Sequence, residues 1–227
     1  MFCSIFVIIA LKSLRDWKTM TNIGLFITFE GVDGCGKTTQ MKLLSEYLSK
    51  KGYEVILTRE PGAKGLGEKI REILLHYDGE VSSSAESFLF LADRAQNVDK
   101  IVNPAVNLGQ IVLCDRHTDS TIAYQGYGRG VDIEELRMLN NLATGSKKPD
   151  LTFVFDIDIE TSMLRVGKEK DRMESAGTVF FNKVRNGYLE IAKTEPERVK
   201  IIDATRDIDD IRNDVNAIVE EYLRKAK

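Results

Sequence analysis

Residues 26–40 read F-I-T-F-E-G-V-D-G-C-G-K-T-T-Q, and this stretch decides the fold. Gly31 to Thr38 form a complete phosphate-binding loop between an apolar run that ends at Phe29 and an amphipathic run that begins near Thr39. In such a loop, glycines let successive backbone N–H groups face the phosphates, the lysine reaches the β and γ oxygens, and the hydroxyl ligates Mg²⁺. A nucleoside triphosphate is therefore expected to contact Gly31, Gly34, Cys35, Gly36, Lys37, Thr38 and Thr39.

The composition of the chain is that of a soluble globular protein. Its 227 residues are 43% hydrophobic and 30% charged, enough for one large domain with a substantial core. A net charge of −3 argues against a broad surface for nucleic acid, so functional cations should cluster around an anionic substrate. The three cysteines are odd in number and lack the spacing of a metal site, which favours a reducing cytoplasm over a disulfide framework.

The first 19 residues form an unusual N-terminal segment. Phe2 to Leu11 is apolar and is followed by three basic residues. The apolar run is too short to cross a bilayer, and its charges follow it rather than precede it as in a signal peptide. We expect residues 1–19 to be a disordered extension or the product of an upstream start codon, with Met20 the natural beginning; a peripheral anchor is the alternative. No linker divides residues 20–227, so we expect a single domain.

Apolar runs alternate with helical patterns along the rest of the chain. This alternation predicts a five-stranded parallel sheet covered on both faces, a P-loop NTPase-like three-layer α/β/α fold with ligands at the carboxyl ends of the strands. The expected strands are Ile23–Phe29, Glu54–Thr58, Gln110–Cys114, Leu151–Phe155 and Val199–Ile202. The expected buried helix faces carry Met41, Leu44 and Leu48; Phe88, Leu91, Ala92, Ala95 and Val98; Phe181, Val184, Tyr188 and Ile191; and Ile208, Ile211, Val215, Ile218 and Tyr222.

Two strand ends carry charged side chains suited to phosphate and metal. Arg59 follows the second strand in T-R-E-P-G, where its planar guanidinium can bind a phosphate group through two hydrogen bonds; an ion pair with Glu60 is the alternative. Asp115 and Arg116 follow the third strand in L-C-D-R-H. An acid opposite the loop Thr38 commonly holds the Mg²⁺ shell, and Arg116 can meet the phosphate of an acceptor. We therefore predict a metal site at Thr38 and Asp115.

The chain resembles the thymidylate kinases from about Ile23 to its C-terminus. The opening strand and loop at 26–40 and T-R-E-P-G at 58–62 match the first two family motifs. F-L-F-L-A-D-R-A-Q at 88–96 resembles the base-binding helix, and D-R-H-T-D-S-T-I-A-Y-Q-G at 115–126 is the most specific match. F-F-N-K-V-R-N-G-Y-L-E-I-A at 180–192 and I-D-A-T at 202–205 complete the series.

The resemblance implies phosphorylation of dTMP to dTDP by Mg-ATP in dTTP biosynthesis, with Mg²⁺ as cofactor. It implies a homodimer, for which the helix from Ser87 to Val102 offers a contact face, and no nucleic-acid or membrane partner. Ala204 would lie on the adenine side. Since no strong base is needed to activate an anionic acceptor, the chemistry requires only alignment and positive charge.

The acceptor pocket follows from the same resemblance. Phe90 would stack on thymine and Arg94 would hydrogen-bond the base; the two are four residues apart and share a helix face. Asp33 would lie beside the deoxyribose 3′-hydroxyl. Tyr124 would crowd the 2′ position, or else pack against Phe88 or Phe90. The pocket would be lined by Asp33, Arg59, Phe90, Arg94, Arg116, Thr121, Tyr124 and Gln125.

The cationic segment R-V-G-K-E-K-D-R at 165–172 resembles part of the family's lid, here about 165–178, rather than a merely solvated charged face. Gly34 stands where other members carry an arginine, so a lid cation should supply the catalytic charge. Arg172 is the first choice and Arg165 the second, alongside Lys37 and Arg116. Lys168 and Lys170 depart from an arginine-rich lid, as does G-A-K at 62–64 from the common G-G-T.

The sequence is also compatible with two other functions. One is a nucleoside monophosphate kinase of the same architecture with adenylate, cytidylate or guanylate as acceptor. The other is a phosphate-loop regulatory module that binds nucleotide without transferring phosphate. The closest approach to a guanine-binding N-K-x-D element is N-K-V-R at 182–185, which ends in the wrong residue.

Overall fold

A computed structural model describes residues 23–166 and 177–225. The described residues form one all-parallel sheet with strand order β2-β3-β1-β4-β5. All five predicted strands are confirmed, with bounds within two residues of those expected. They are β1 (Leu25–Glu30), β2 (Val55–Arg59), β3 (Ile111–Asp115), β4 (Leu151–Asp156) and β5 (Val199–Asp203).

Helices connect the strands and cover both faces of the sheet. They are α1 (Lys37–Lys50), α2 (Leu66–His76), α3 (Ser83–Asn97), α4 (Asn103–Asn107), α5 (Thr118–Thr121), α6 (Ile133–Thr144), α7 (Ile159–Arg165), α8 (Thr178–Thr194) and α9 (Ile208–Lys225). Two π-helical segments, Val98–Val102 and Ile122–Gly128, continue α3 and α5. Within the described ranges, every helix is too short or too polar to span a bilayer.

The chain reverses its winding direction at β1 and β3, the two neighbouring strands that carry the predicted phosphate ligands. The chain leaves β1 through α1, which packs against α9, and leaves β3 toward α5. Because parallel crossovers are right-handed, these two connections lie on opposite faces of the sheet. A crevice therefore opens between the carboxyl ends of β1 and β3, the usual ligand position in such sheets.

The predicted faces of α1 and α8 are buried as expected, whereas the prediction for α3 is correct only in part. Phe88 is 58% exposed and Ala92 is also exposed, whereas Leu91 and Val98 are buried. The inward face of α3 is mainly polar and carries Glu86, Ser87, Asp93, Arg94 and Asn97. Hydrophobic periodicity fails here because this face encloses hydrogen-bonded polar groups rather than an apolar core.

The prediction for α9 is correct only in part. Ile211 and Val215 are buried, but Ile208 is 58% exposed. The buried stripe continues through Val219 and Leu223, which follow at four-residue spacing.

The phosphate loop is packed against α7 at Gly34. Gly34 has a φ of +75°, and a Cβ there would lie 2.6 Å from the carbonyl oxygen of Ser162. The Ser162 hydroxyl donates a 2.6 Å hydrogen bond to the carbonyl oxygen of Asp33 in the same loop. The close approach of α7 therefore occupies the space that a side chain at position 34 would need.

We predict that Gly34→Ala lowers the free energy of unfolding by about 2–4 kcal/mol, because it adds a clash to the strain of a positive φ. Gly52→Ala is the matched control, since Gly52 has a φ of +88° and its Cβ would meet no atom within 4 Å. Strain alone costs about 1–2 kcal/mol. Urea denaturation of both variants measures the difference, and equal losses would contradict the packing account.

Candidate active site

The phosphate loop positions its lysine through its own backbone. The Nζ of Lys37 donates to the carbonyl oxygens of Gly31 at 3.1 Å and Val32 at 2.9 Å, and lies 3.9 Å from a carboxylate oxygen of Asp33. Lys37 is only 6% exposed. An ammonium group held in this way presents its remaining charge to the mouth of the loop, where phosphate oxygens bind.

Two oxygen ligands for a metal ion lie next to the loop. The hydroxyl of Thr38 donates a 2.9 Å hydrogen bond to the carboxylate of Asp115 at the end of β3. Mg²⁺ typically takes one or two protein oxygens and completes its shell with phosphates and water, so this pair suits a nucleotide-bound Mg²⁺. The described part of the chain contains no cluster of three or more acidic, histidine or cysteine ligands.

Arg116 adopts a left-handed backbone conformation, with a φ of +71°. For a non-glycine residue this costs on the order of 1 kcal/mol, and it turns the side chain back toward the loop after β1. Its Nη2 donates a 2.6 Å hydrogen bond to the carboxylate of Asp33, while its Nη1 lies 3.4 Å from the Ser120 hydroxyl and 3.3 Å from the Tyr188 hydroxyl. The guanidinium also lies 5.0 Å from the ring centre of Tyr124.

Asp33 is ionised in this arrangement. Burial alone would raise its pKa, but the positive charges of Arg116 and Lys37 outweigh that effect and lower it. The carboxylate therefore balances two cations at the centre of the cleft.

A buried carboxylate, Glu60, organises the next layer. It accepts hydrogen bonds from Nε of Arg94 at 2.8 Å and Nδ2 of Asn97 at 2.9 Å, and its Oε1 lies 3.0 Å from Nδ1 of His117. Burial would raise the pKa of Glu60, but the charges of His117 and Arg94 and the hydrogen bonds lower it to about 2. The predicted alternative of an Arg59–Glu60 ion pair is wrong, because these partners surround Glu60 while Arg59 is exposed.

Arg94 is 1% exposed and is held almost entirely by protein groups. Besides Glu60, its guanidinium donates to the Thr121 hydroxyl at 2.7 Å, the Asn140 side-chain oxygen at 2.5 Å and the His117 carbonyl at 2.8 Å. A guanidinium has five N–H donors, and these four hydrogen bonds leave one. Arg94 can therefore offer a single hydrogen bond to a ligand.

Tyr124 packs against aromatic rings of α8 rather than beside Phe88. Its ring meets those of Phe180, Phe181 and Tyr188 edge-on, with centroids 6.0 to 6.4 Å apart. Tyr124 is 6% exposed, so it forms a rigid wall beside Arg116.

Two adjoining cavities bring most of the predicted site residues together. The first, of about 440 Å³, is lined by Asp33, Gly34, Gly36, Lys37, Thr38, Thr39, Arg59, Glu60, Arg71, Asp115, Arg116 and Arg165. The second is lined by Asp33, Glu60, Pro61, Arg71, Leu75, Phe90, Arg94, Arg116, Ser120, Thr121, Tyr124 and Gln125. Both include Asp33, Glu60, Arg71 and Arg116, so the cavities meet at one charged junction.

Comparison with known proteins agrees with this geometry. The thymidylate kinase family model matches residues 29–215. The chain belongs to the thymidylate kinase family. It is 46% identical over 211 residues to the thymidylate kinase of Desulfovibrio desulfuricans, covering 88% of this chain and 97% of that one. It is 50% identical over 204 residues to that of Pelotomaculum thermopropionicum, covering 88% and 94%. The crystal structure of thymidylate kinase from Ehrlichia chaffeensis aligns with a TM-score of 0.72 at 40% identity, covering 86% of this chain and 98% of that one.

Three predicted ATP contacts of this thymidylate kinase family member do not line the two cavities. Gly31 and Cys35 are buried residues of the loop itself, and Ala204 is only 2% exposed. The carbonyl oxygen of Ala204 accepts a 3.2 Å hydrogen bond from Arg165, which does line the first cavity, called the phosphate cavity below because it contains the phosphate loop. Arg172 and most of the expected lid lie outside the described residues, as does the segment 1–19.

Sequence reasoning missed Arg71 and the organising role of Glu60. Arg71 lies on α2, lines both cavities and donates a 2.9 Å hydrogen bond to the carbonyl oxygen of Pro61. Its sequence context, E-K-I-R-E, is indistinguishable from a solvated helix face. Only the packing of α2 beside α3 brings it to the cleft.

Glu30 is a second buried carboxyl group, located behind Arg116 at the end of β1. It accepts hydrogen bonds from the His117 backbone N–H at 2.7 Å, the Ser120 hydroxyl at 2.6 Å and the Tyr188 hydroxyl at 3.1 Å. Burial, with the nearby charge of Asp119, raises its pKa to about 7 against the opposing effect of these hydrogen bonds. Ser120 and Tyr188 also contact Arg116, so Glu30 supports the position of that arginine.

We predict that Glu30 makes the stability of this protein depend on pH between 4.5 and about 7. Its pKa is raised in the folded state, so the stabilisation is fully present below 4.5 and is lost as pH rises through about 7. The maximum loss is on the order of 3 kcal/mol. Glu30→Gln cannot titrate, so its free energy of unfolding should fall less between pH 5 and 8.

Urea denaturation at pH 5, 6, 7 and 8 tests this expectation. Glu134→Gln, at an exposed site on α6, is the matched control and should retain the wild-type slope. Parallel curves for Glu30→Gln and the wild type would refute the assignment.

Proposed function

We propose that this protein transfers the γ-phosphoryl group of Mg-ATP to dTMP, giving dTDP and ADP for dTTP biosynthesis. The observation that carries the proposal is the junction of the two cavities. A phosphate loop opens on one side, a pocket with an aromatic ring and hydrogen-bonding groups opens on the other, and Asp33, Arg71 and Arg116 lie between them. Membership of the thymidylate kinase family supports dTMP as the acceptor.

Each cation near the junction has a task in phosphoryl transfer. Lys37 contacts the β and γ oxygens, and Thr38 with Asp115 would hold Mg²⁺, which neutralises charge on the transferring group. Arg116, with Arg59 and Arg71, would bind the phosphate of the acceptor and align its oxygen for in-line attack. The acceptor oxygen is already anionic, so catalysis needs positioning and positive charge rather than a general base.

A lid arginine would complete the catalytic charge, with Arg172 as first candidate and Arg165 as second. The packing at Gly34 supports this division, because the phosphate loop has no space for a cationic side chain there. Arg165, at the end of α7, already lines the phosphate cavity.

The nucleosides would be held by the walls of the two cavities. Phe90 would stack on thymine, and the remaining N–H of Arg94 would bind a carbonyl oxygen of the base. Asp33 would accept from the 3′-hydroxyl, Tyr124 would exclude a 2′-hydroxyl, and Thr121 and Gln125 would complete the pocket. On the other side, Ala204 would lie near adenine, beside the hydrogen bond from Arg165.

The buried free thiols of Cys35 and Cys114 suit a reducing compartment, so we place the reaction in the cytoplasm. Partners other than ATP, dTMP and a second copy of the chain are not needed for it.

The second copy would dock on the outward faces of α2, α3 and α6. Helix α3 packs on both α2 and α6, and large apolar side chains are exposed on these helices or next to them, namely Ile73, Tyr77, Phe88, Met138 and Leu142. Exposed apolar side chains gathered on packed helices are typical of an interface, and a two-fold dimer uses the same surface on both copies.

We predict that the wild type releases ADP fastest with dTMP when dTMP, dUMP, UMP, CMP, AMP and GMP are offered separately with Mg-ATP. Phe90→Ala should raise the KM for dTMP about tenfold or more through loss of stacking, whereas Phe90→Tyr retains the ring and should stay near the wild type. Preference for another acceptor would leave the kinase activity in place but would contradict the assignment of the pocket to thymine. ADP release that no acceptor accelerates would favour a regulatory nucleotide-binding module instead.

The variant Arg94→Ala is not a suitable test of base binding. Removing Arg94 leaves the buried Glu60 carboxylate without its closest cation, a change that costs about 3–5 kcal/mol in comparable cases. Lost activity in that variant would report unfolding as readily as loss of base binding.

We predict that Phe88→Glu shifts the protein from dimer to monomer in sedimentation equilibrium, because it places a charge in the apolar patch. Leu108→Glu, at a 70% exposed site after α4, is the control and should remain dimeric. An unchanged dimer in Phe88→Glu would place the interface elsewhere.

A further inference from the structure

Glu86, in the first turn of α3, has no part in the chemistry described above, yet it contacts Gln125 in the wall of the second cavity, which also contains Phe90 and Arg94 and is called the base cavity below. The side chain is 2% exposed. One carboxylate oxygen accepts a 3.0 Å hydrogen bond from Nε2 of Gln125 and lies 3.5 Å from Nε of Arg129. Arg129 in turn lies over the ring of Phe180, with 4.7 Å between the guanidinium carbon and the ring centre.

These contacts fix the orientation of the Gln125 side-chain amide. The Glu86 oxygen that faces Gln125 also faces the guanidinium of Arg129, and a carboxylate can only accept hydrogen bonds. Gln125 must therefore direct its NH₂ group at Glu86 and its carbonyl oxygen away from it. Gln125 is 1% exposed and lines the base cavity together with Phe90 and Arg94.

The base cavity then offers an ordered pair of hydrogen-bonding groups. Arg94 supplies a donor, since one N–H is left over from its contacts with the protein. Gln125 supplies an acceptor through its carbonyl oxygen. Thymine presents the matching pair, a carbonyl acceptor at O4 beside the N3–H donor, whereas cytosine presents an amino donor at C4 beside an unprotonated N3 acceptor.

We infer that Glu86 is a positioning residue that makes the base cavity select thymine over cytosine. It acts through the Gln125 amide, which without a fixed partner could rotate by 180° and present a donor in place of the acceptor. A rotated amide would remove the mismatch at N3 of cytosine, one of the two that exclude this base, while the donor of Arg94 would still oppose the amino group at C4. The inference rests on the proposed dTMP kinase activity and assigns to one buried carboxylate the choice between two pyrimidines.

The test compares kcat/KM for dTMP and dCMP with Mg-ATP in the wild type and in Glu86→Gln. The glutamine has nearly the same shape as Glu86 but can either donate or accept, so it no longer dictates the orientation of the Gln125 amide. The dTMP-to-dCMP ratio should fall tenfold or more, because a site built to hydrogen-bond a substrate discriminates strongly only while its polar groups are fixed. Glu134→Gln, at an exposed site on α6, is the matched control and should keep the wild-type ratio.

Arg129→Met is a second route that leaves Glu86 in place. Arg129 lies 3.5 Å from the same Glu86 oxygen that accepts from Gln125. Its loss removes one of the contacts that hold this oxygen toward the amide, so the ratio should fall in the same direction by a smaller factor. This variant tests the inference even if Glu86→Gln folds poorly. Thermal unfolding of all three variants confirms that the measured enzymes are folded.

A purely structural role for Glu86 would lower kcat/KM for both nucleotides equally and leave the ratio unchanged. That result, in either Glu86→Gln or Arg129→Met, overturns the inference while the proposed function stands. A wild type that does not prefer dTMP overturns the proposed function itself.

Discussion

The part of this structure around the base cavity depends on the ion pairs and hydrogen bonds of one buried carboxylate, that of Glu60. It stands at the end of β2 and joins α3, through Arg94 and Asn97, to the segment after β3, through His117. An ion buried in this way is costly unless every lone pair is matched, so the three elements are fixed relative to one another. The position of Arg94, and with it the shape of the base cavity, follows from that requirement.

The same requirement explains why α3 has its polar side inward and several apolar residues outward. A helix over an ordinary core buries its apolar stripe, but α3 covers a network of ions and amides. Its exposed Phe88 then becomes available for contact with a second chain. In the proposed function, this one helix would line the base cavity on one side and contact the second chain on the other.

Much of the fold could be predicted from the sequence because its signals are local. The phosphate loop and the five β-rich runs are contiguous segments, and the bounds of every strand lie within two residues of those predicted. The charged groups at strand ends could also be predicted, since parallel strands bring their carboxyl ends to one edge. Arg71 could not be found in this way, because it reaches the cleft only when α2 packs beside α3.

The roles of residues whose hydrogen-bond partners are distant in sequence could not be predicted either. Glu60 reads as a partner for adjacent Arg59, and only the fold shows that it binds Arg94, 34 residues away. Likewise, Gln125 was expected in the pocket, but the orientation of its amide depends on Glu86, 39 residues earlier. Hydrogen-bond direction is a property of the assembled network, so neither periodicity nor motif spacing contains it.

The contact between Gly34 and α7 has an evolutionary consequence. Under the proposed mechanism, a chain could place its catalytic cation on the phosphate loop, or it could let α7 approach the loop closely and supply the cation from another segment. The two solutions compete for the same few ångströms of space, as the 2.6 Å distance to the Ser162 carbonyl shows. A single substitution at position 34 therefore cannot convert one solution into the other, and α7 and the segment after it must change together with the loop.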